Sequence, residues 1–395
     1  MNADQALFRH CQGNSMHPTI IVGSGLAGFT LAREWRKLDA DSPLLMVTAE
    51  EGYFYSKPML SNALAGGKTA QQLINKPAAQ MEQELKITIM ARARVSAIDP
   101  ARHTMTVDGQ DIEYARLVLA LGADPFRPPM AGNATDEVLS VNDLDDYARF
   151  REKLAGIKRI AILGAGLIGC EFANDLLSAD IRIDVIDPGS RPLGALLPPE
   201  ANRRLQQSLA DLGINWRFGI KAEGVNRTEQ GLQLGFSDGS SMETDLVLSA
   251  VGLRARTALA SAAGIQVNRG ILVNDQLQTS MPDIYAIGDC AEAQGKVLPF
   301  VMPLMQQART LAKILAGTSA SLSYPLMPVV IKTPACPIVV CPPNQGVEGE
   351  WQEETSEQGV RARFLGPDKK LLGFALTGKL MAEKNSLVQQ MAEAG

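Results

Sequence analysis

Short, largely apolar runs recur along this chain, several of them ending at a glycine and followed by residues with helical spacing. The first, Thr19-Ile20-Ile21-Val22, leads to a helix over about Leu26–Lys37 and a second run at Leu44–Val47, a βαβ pattern of some 30 residues. A strand near Lys86–Met90 and a β-rich stretch beginning about Val95 lead to Leu117-Val118-Leu119-Ala120-Leu121, a buried strand with a tight exit at Gly122. Asp124-Pro125 and Pro128-Pro129 then mark a linker. The pattern repeats as a strand at 159–163, a helix to about Ser178 and a strand at Arg182–Ile186. Prolines 188, 192, 198 and 199 precede an amphipathic helix at about 200–212, and Asp245–Gly252 echoes the run before Gly122.

Beyond Arg254 the pattern gives strands at Ile271–Val273 and from Ile284, then a helix over about Met305–Ala316. From Tyr324 the texture changes to short strands at 329–332, 338–340, 360–364 and 371–376, with a final helix at 380–393. The expected fold is α/β, with one βαβ-based unit duplicated along the chain and a small C-terminal α+β domain. Residues 1–16 show no period and are read as a disordered extension without function.

Both apolar runs that open a unit are followed directly by a glycine fingerprint. Gly23-Ser24-Gly25-Leu26-Ala27-Gly28 and Gly164-Ala165-Gly166-Leu167-Ile168-Gly169 each fit GxGxxG at a strand-to-helix turn, 141 residues apart. The first glycine makes the turn, the second lets a pyrophosphate approach the backbone, and the third lets helix and strand pack. The helix N-terminus offers free N–H groups and partial positive charge to the phosphates. An acid follows each unit's second strand: Glu50, 22 residues after Gly28, and Asp187, 18 after Gly169. Such acids accept from ribose hydroxyls, and Asp187 favours NADH by repelling a 2′-phosphate, with Arg191 four residues on able to moderate this. Two dinucleotides on one chain are what hydride transfer between a flavin and a nicotinamide requires.

Composition narrows the class without naming it. A chain of 395 residues with 46% hydrophobic and 21% charged content is an ordinary globular protein of two or three domains. A net charge of −5 gives no reason to expect nucleic acid or a membrane surface as partner. No apolar stretch approaches a membrane span, and the polar first residues do not resemble a signal peptide, so a cytoplasmic location is expected. Five cysteines at 11, 170, 290, 336 and 341 form neither a disulfide framework nor a metal-ligand spacing, so no metal is expected. Cys336 and Cys341 are spaced as a CxxxxC, but five extended steps would separate their Cα atoms by ~16 Å, beyond disulfide reach. The histidines at 10, 17 and 103 lie outside every motif.

The order of motifs resembles the FAD-dependent pyridine nucleotide-disulfide oxidoreductases related to glutathione reductase, over residues 18 to about 380. The segment Thr279-Ser280-Met281-Pro282-Asp283-Ile284-Tyr285-Ala286-Ile287-Gly288-Asp289 is similar to the one whose Asp contacts the flavin ribityl chain. On residues alone Asp289 could equally be a helix N-cap. The resemblance implies two Rossmann-like dinucleotide-binding domains, the second inserted in the first, with bounds 17–124 and 255–325, then 125–254, and the small α+β domain at 326–395. It implies FAD on the first unit, with Gly23–Gly28, Glu50, Lys57, Val95, Gly122, Asp289 and Val301, and NAD(H) on the second, with Gly164, Gly166, Gly169, Glu171 and Asp187. Disulfide reductases of the group carry a redox CxxxxC after the first flavin strands; here stands Tyr55-Ser56-Lys57-Pro58-Met59-Leu60-Ser61, and no cysteine occurs between Cys11 and Cys170. Electrons must leave the flavin directly, which narrows the resemblance to the ferredoxin and rubredoxin reductase branch.

That branch implies further roles. Lys57 opens a helix where a solvated lysine is the ordinary reading; the resemblance puts its ammonium near flavin N5 or O4. Glu171 could simply serve the helix dipole, but in similar reductases this Glu reaches the nicotinamide amide and the lysine beside the flavin, which gives a Lys57–Glu171 pair. Lys332 interrupts the apolar run 327–334 and needs a partner or an exit to solvent: an exposed strand edge, or a place over the flavin's pyrimidine edge. The backbone at Val301, where the long helix starts, could face flavin O2. The implied activity is an NADH reductase passing electrons through FAD to rubredoxin, with flavorubredoxin or ferredoxin as alternative acceptors and an NAD(H)-sensing flavoprotein as the non-enzymatic alternative. Rubredoxins are typically acidic, so a basic patch is expected; Arg33, Arg36 and Lys37 share a helix face, although a solvated surface also explains them. A monomer is expected.

Overall fold

Five short strands rich in Ile, Leu and Val, buried on both faces, form the first parallel sheet, in the order Ile284–Ala286, Arg116–Leu119, Thr19–Val22, Leu44–Val47, Thr88–Met90. A computed structural model describes residues 17–394, so the extension expected at 1–16 lies outside the described residues. One face of the sheet packs Ile21, Met46 and Val118 against Phe29, Leu31 and Trp35 of the helix Leu26–Arg36 and Leu304, Ala308 and Leu311 of the helix Val301–Leu315. The other face packs Ile20, Leu45, Leu117 and Ile284 against Ile98, Met105 and Ile112 of an antiparallel three-stranded sheet. Arg116 donates from Nη1 to the Leu315 carbonyl at 2.6 Å, satisfying one of the acceptors left free at that helix's end.

The second parallel sheet runs Ile214–Phe218, Arg182–Asp187, Arg159–Leu163, Leu246–Ser249. The antiparallel strands Ala222–Thr228, Gly231–Phe236 and Ser241–Thr244 accompany it, and Val225, Leu234 and Phe236 share a core with Ala161, Leu163 and Val247. A five-stranded antiparallel sheet follows near the C-terminus, in the order Val329–Ile331, Ile338–Cys341, Leu371–Thr377, Gly359–Leu365, Glu350–Ser356, with the helix Lys384–Ala394 packed on it through Leu387 and Met391.

By its internal contacts the chain forms two compact units. Among the described residues, the first holds 17–57, 74–124 and 253–325, and the second holds 58–73, 125–252 and 326–394. Residues 58–73 thus belong with the second unit, although they interrupt the sequence of the first. Both glycine fingerprints are built alike. Gly23 and Gly164 have φ of +116° and +100°, and a Cβ on either would run into the carbonyl of Ala120 or Ala250. A Cβ on Gly28 or Gly169 would overlap the carbonyl oxygen of Gly23 or Gly164, whereas Gly25 and Gly166 have nothing within 4 Å.

The long helix runs Val301–Leu315, so it starts at Val301 as expected, ahead of the helical spacing that becomes plain at Met305, with Pro303 in its first turn, where a missing N–H costs nothing. The strand Glu350–Ser356 has Trp351 as its one large apolar residue, which hid it from a reading of apolar runs. Of the basic residues on the first helix, Arg36 donates its guanidinium to the carbonyls of Asp39, Ser42, Leu85 and Lys86, Arg33 lies 4.0 Å over the Phe54 ring and Lys37 pairs with Glu34 at 2.8 Å. Between Cys336 and Cys341 the chain is extended as the strand Ile338–Cys341, and Cys336 itself ends a turn, its N–H donating to the Thr333 carbonyl at 2.8 Å. Cys336 and Cys341 are free, buried thiols, pushed up by burial, Cys341 to about 11. The glycine geometry has a direct consequence. Gly169→Ala is expected to lower stability by about 1–3 kcal/mol, whereas Gly166→Ala costs less than about 1 kcal/mol. Thermal unfolding of the two variants checks this, and equal losses would contradict it.

Candidate functional site

In the first unit the fingerprint, the Gly-Asp turn and the long helix are tied together. Ser24 Oγ donates to Thr48 Oγ1 at 2.9 Å, and Thr48 Oγ1 also accepts from the backbone N–H of Glu50 at 3.2 Å. A Cβ on Gly288, whose φ is +77°, would come within 2.8 Å of the Ala27 Cβ, so the turn before Asp289 rests on the first turn of the fingerprint helix. The Gly288 N–H donates to Gln307 Oε1 at 2.7 Å, and Gln307 Nε2 donates to Tyr324 at 2.7 Å. Gln307 is buried and went unremarked in the sequence, where nothing distinguishes it from other polar helix residues. Asp289 has no hydrogen-bond partner among the described residues, and burial raises its carboxyl above the usual range, with the Lys57 cation opposing. It is not an N-cap, since its own backbone lies inside the 3₁₀ turn Gly288–Cys290. Lys57 begins the 3₁₀ turn Lys57–Asn62, Val95 begins the strand Val95–Asp99, Gly122 has φ of +73°, Glu50 is exposed, and Val301 begins its helix with Phe300 as cap.

The second unit holds the denser cluster. Glu171, in the first turns of the helix Leu167–Leu176, is only 4% exposed. Lys332 Nζ lies 2.7 Å from its Oε2, Ser61 Oγ donates to the same oxygen at 2.5 Å, and the Lys332 N–H donates to Oε1 at 3.1 Å. Lys332 Nζ also donates to Ser61 Oγ at 2.9 Å and to the Pro58 carbonyl. The strand of Lys332 stops at Ile331, so the lysine is no exposed strand edge. The partner that its position demanded is Glu171. Lys57, which the resemblance paired with Glu171, falls in the first unit.

Further along the same helix, Asn174 Oδ1 accepts from Ala335 N at 3.0 Å, and Asp175 accepts from Leu64 N at 2.8 Å and Ala65 N at 3.0 Å. Burial raises the Asp175 carboxyl, with these two N–H groups opposing. Positions 171, 174 and 175 share one helix face, so the acceptor row was visible as i, i+3, i+4 spacing; its donors, from segments more than 100 residues away, were not.

Asp187 ends its strand with both oxygens engaged, Oδ2 accepting from Ala165 N at 2.7 Å and Oδ1 from Gly189 N at 2.6 Å. Each carboxylate oxygen keeps a second lone pair, so a ribose hydroxyl can still be accepted. The open space at Gly25 and Gly166, against the crowding at the other four fingerprint glycines, is the cradle that a pyrophosphate needs. The half-buried Asp289 carboxylate supplies an acceptor for a polyol. Both units therefore fit the dinucleotides expected of them. Cys170 and Cys290 lie behind the two motifs as buried thiols, raised by burial, Cys290 to about 11, and neither is poised to carry electrons.

Comparison with known proteins agrees with this geometry. The family model described as pyridine nucleotide-disulphide oxidoreductase matches residues 17–312, and one described as the rubredoxin binding C-terminal domain matches residues 321–391. A rubredoxin-NAD(+) reductase of Alcanivorax borkumensis is 48% identical over 95% of this chain and 99% of its own length. A nitric oxide reductase FlRd-NAD(+) reductase of Pectobacterium atrosepticum is 39% identical, again over 95% of this chain and 99% of its own length. The crystal structure of a covalent putidaredoxin reductase–putidaredoxin complex superposes with a TM-score of 0.87 at 26% identity, covering 96% of this chain and 94% of that one. The duplicated fingerprint geometry and these matches together establish that the chain belongs to the pyridine nucleotide-disulphide oxidoreductase family.

Proposed function

We propose that this protein is an FAD-dependent NADH reductase that passes electrons from NADH through the flavin to rubredoxin. The observation that carries this reading is the rubredoxin-binding C-terminal region at 321–391 on a chain whose first 169 residues hold no cysteine except Cys11. A disulfide relay is thereby removed and a protein acceptor takes its place. Bound FAD supplies the conversion of a two-electron hydride into single electrons, which a nicotinamide cannot perform.

The protein's own residues bind and orient. Gly23, Gly25 and Gly28 open the first helix to one pyrophosphate, with Glu50 for the adenosine ribose and Asp289 for the ribityl chain. Val95, Gly122 and Val301 complete the FAD contacts of this reading. Gly164, Gly166 and Gly169 open the second helix to NADH, and Asp187 accepts from its ribose and disfavours a 2′-phosphate. Glu171 and Lys57 are the catalytic residues: Glu171 receives the nicotinamide amide, and Lys57 brings a cation to the ring that accepts the hydride. Lys332 acts through Glu171, since its ammonium is committed to that carboxylate and to Ser61.

Two experiments test this. NADH oxidation by the holoprotein is measured in parallel with rubredoxin, ferredoxin and flavorubredoxin; the highest kcat/KM is expected with rubredoxin, and the absence of a preference would contradict the assigned acceptor. Stopped-flow mixing of NADH with Glu171→Gln should show flavin reduction slowed by about tenfold or more, the cost of losing a charged hydrogen-bond acceptor. An unchanged rate would remove Glu171 from the mechanism.

A further inference from the structure

The chain leaves the first unit directly after Lys57, runs through the second unit as residues 58–73, and returns to the first at Ile74. This excursion begins and ends at one ribbon, since Phe54–Tyr55 pairs with Ile74–Lys76 within the first unit. While it is in the second unit its backbone is held at successive points. The Pro58 carbonyl accepts from Lys332 Nζ, and Ser61 donates to Glu171 at 2.5 Å. Leu64 and Ala65 donate their N–H groups to the two oxygens of Asp175, and the Lys68 carbonyl accepts from Tyr147 at 3.0 Å and from Arg151.

Of these contacts, the Asp175 clamp is the least replaceable. Asp175 is 2% exposed, and each of its oxygens takes a different amide, so the carboxylate fixes two consecutive peptide groups at once. A buried carboxylate is costly unless its acceptors are used, and an amide in its place would turn an N–H donor toward an N–H donor. The clamp also lies one helical turn beyond Glu171, on the same face of the helix that carries the second fingerprint. It therefore sets where Ser61 meets Glu171.

We propose that Asp175 is a positioning residue for hydride transfer, which locks residues 58–65 so that Ser61 holds Glu171. It touches neither dinucleotide and binds neither. This rests on the assignment of Glu171 to catalysis given above, and flavin reduction by NADH in Glu171→Gln tests that assignment separately.

The test uses the flavin-loaded protein with Asp175→Asn and Asp175→Glu. Hydrogen–deuterium exchange over residues 58–68 should rise in Asp175→Asn, at Leu64 and Ala65 above all. The rate of flavin reduction at saturating NADH should fall about tenfold, as a misplacement far short of unfolding does, while the Kd for NADH stays within about twofold. Asp175→Glu, which keeps both acceptor oxygens, should recover part of the rate and of the protection. Should Asp175→Asn fail to retain flavin, Tyr147→Phe carries the same test, with increased exchange at 58–68 and a smaller fall in rate at unchanged Kd. The proposal is overturned if the segment loosens while the rate holds, if exchange is unaltered, or if the loss lies in Kd with the limiting rate preserved.

Discussion

A carboxylate buried to 4% exposure cannot stand in a folded protein unless its charge is met, and Glu171 is met from two directions at once. Lys332 brings the counter-charge from the start of the C-terminal sheet, and Ser61 brings a hydroxyl from the segment that interrupts the first unit. Removing either partner leaves an uncompensated group, which is far more costly than the pair is stabilising. The helix Leu167–Leu176 extends the same constraint: Asn174 and Asp175 hold Ala335 and residues 64–65 by their backbone N–H groups. One helix thus carries the dinucleotide fingerprint at its N-terminus and a row of acceptors along its side. The second unit's geometry is organised about that face.

The two fingerprints show how duplication gives similar scaffolds different chemistry. Turn glycine against carbonyl, open middle glycine and packing glycine recur in both. The residue that follows the second strand differs. In the first unit Thr48 takes the Ser24 hydroxyl, and in the second Asp187 takes the Ala165 amide. A charged acceptor at the second site, taking the Ala165 and Gly189 amides at once, explains its fixed loop.

Much of this was legible in the chain. The apolar runs marked the parallel strands because strands covered on both faces must be apolar throughout, and Thr19–Val22, Leu44–Val47 and Arg159–Leu163 stand at their expected bounds. Half-exposed strands such as Glu350–Ser356 carry too few apolar residues to register. The family was legible from glycine spacing and the Gly288-Asp289 turn, since both are backbone requirements written into residue type. Long-range polar pairing was not. That Lys332 needed a partner followed from its apolar neighbours, but Glu171 lies 161 residues away, and only the fold brings them to 2.7 Å. Asp175 shows in the sequence only as one of a row of acceptors on a helix face, and Gln307 had no signal of its own, because a helix residue that serves a distant amide looks like any other polar helix position.

The account therefore stands on the Glu171–Lys332 pair as a unit that acts in hydride transfer. A double-mutant cycle with Glu171→Gln and Lys332→Met, read in the rate of flavin reduction by NADH, measures this directly. If Lys332 acts through Glu171, the double variant reacts about as slowly as the slower single variant and the two effects do not add. Fully additive losses would mean that the two residues act independently, and the central arrangement described here would be wrong.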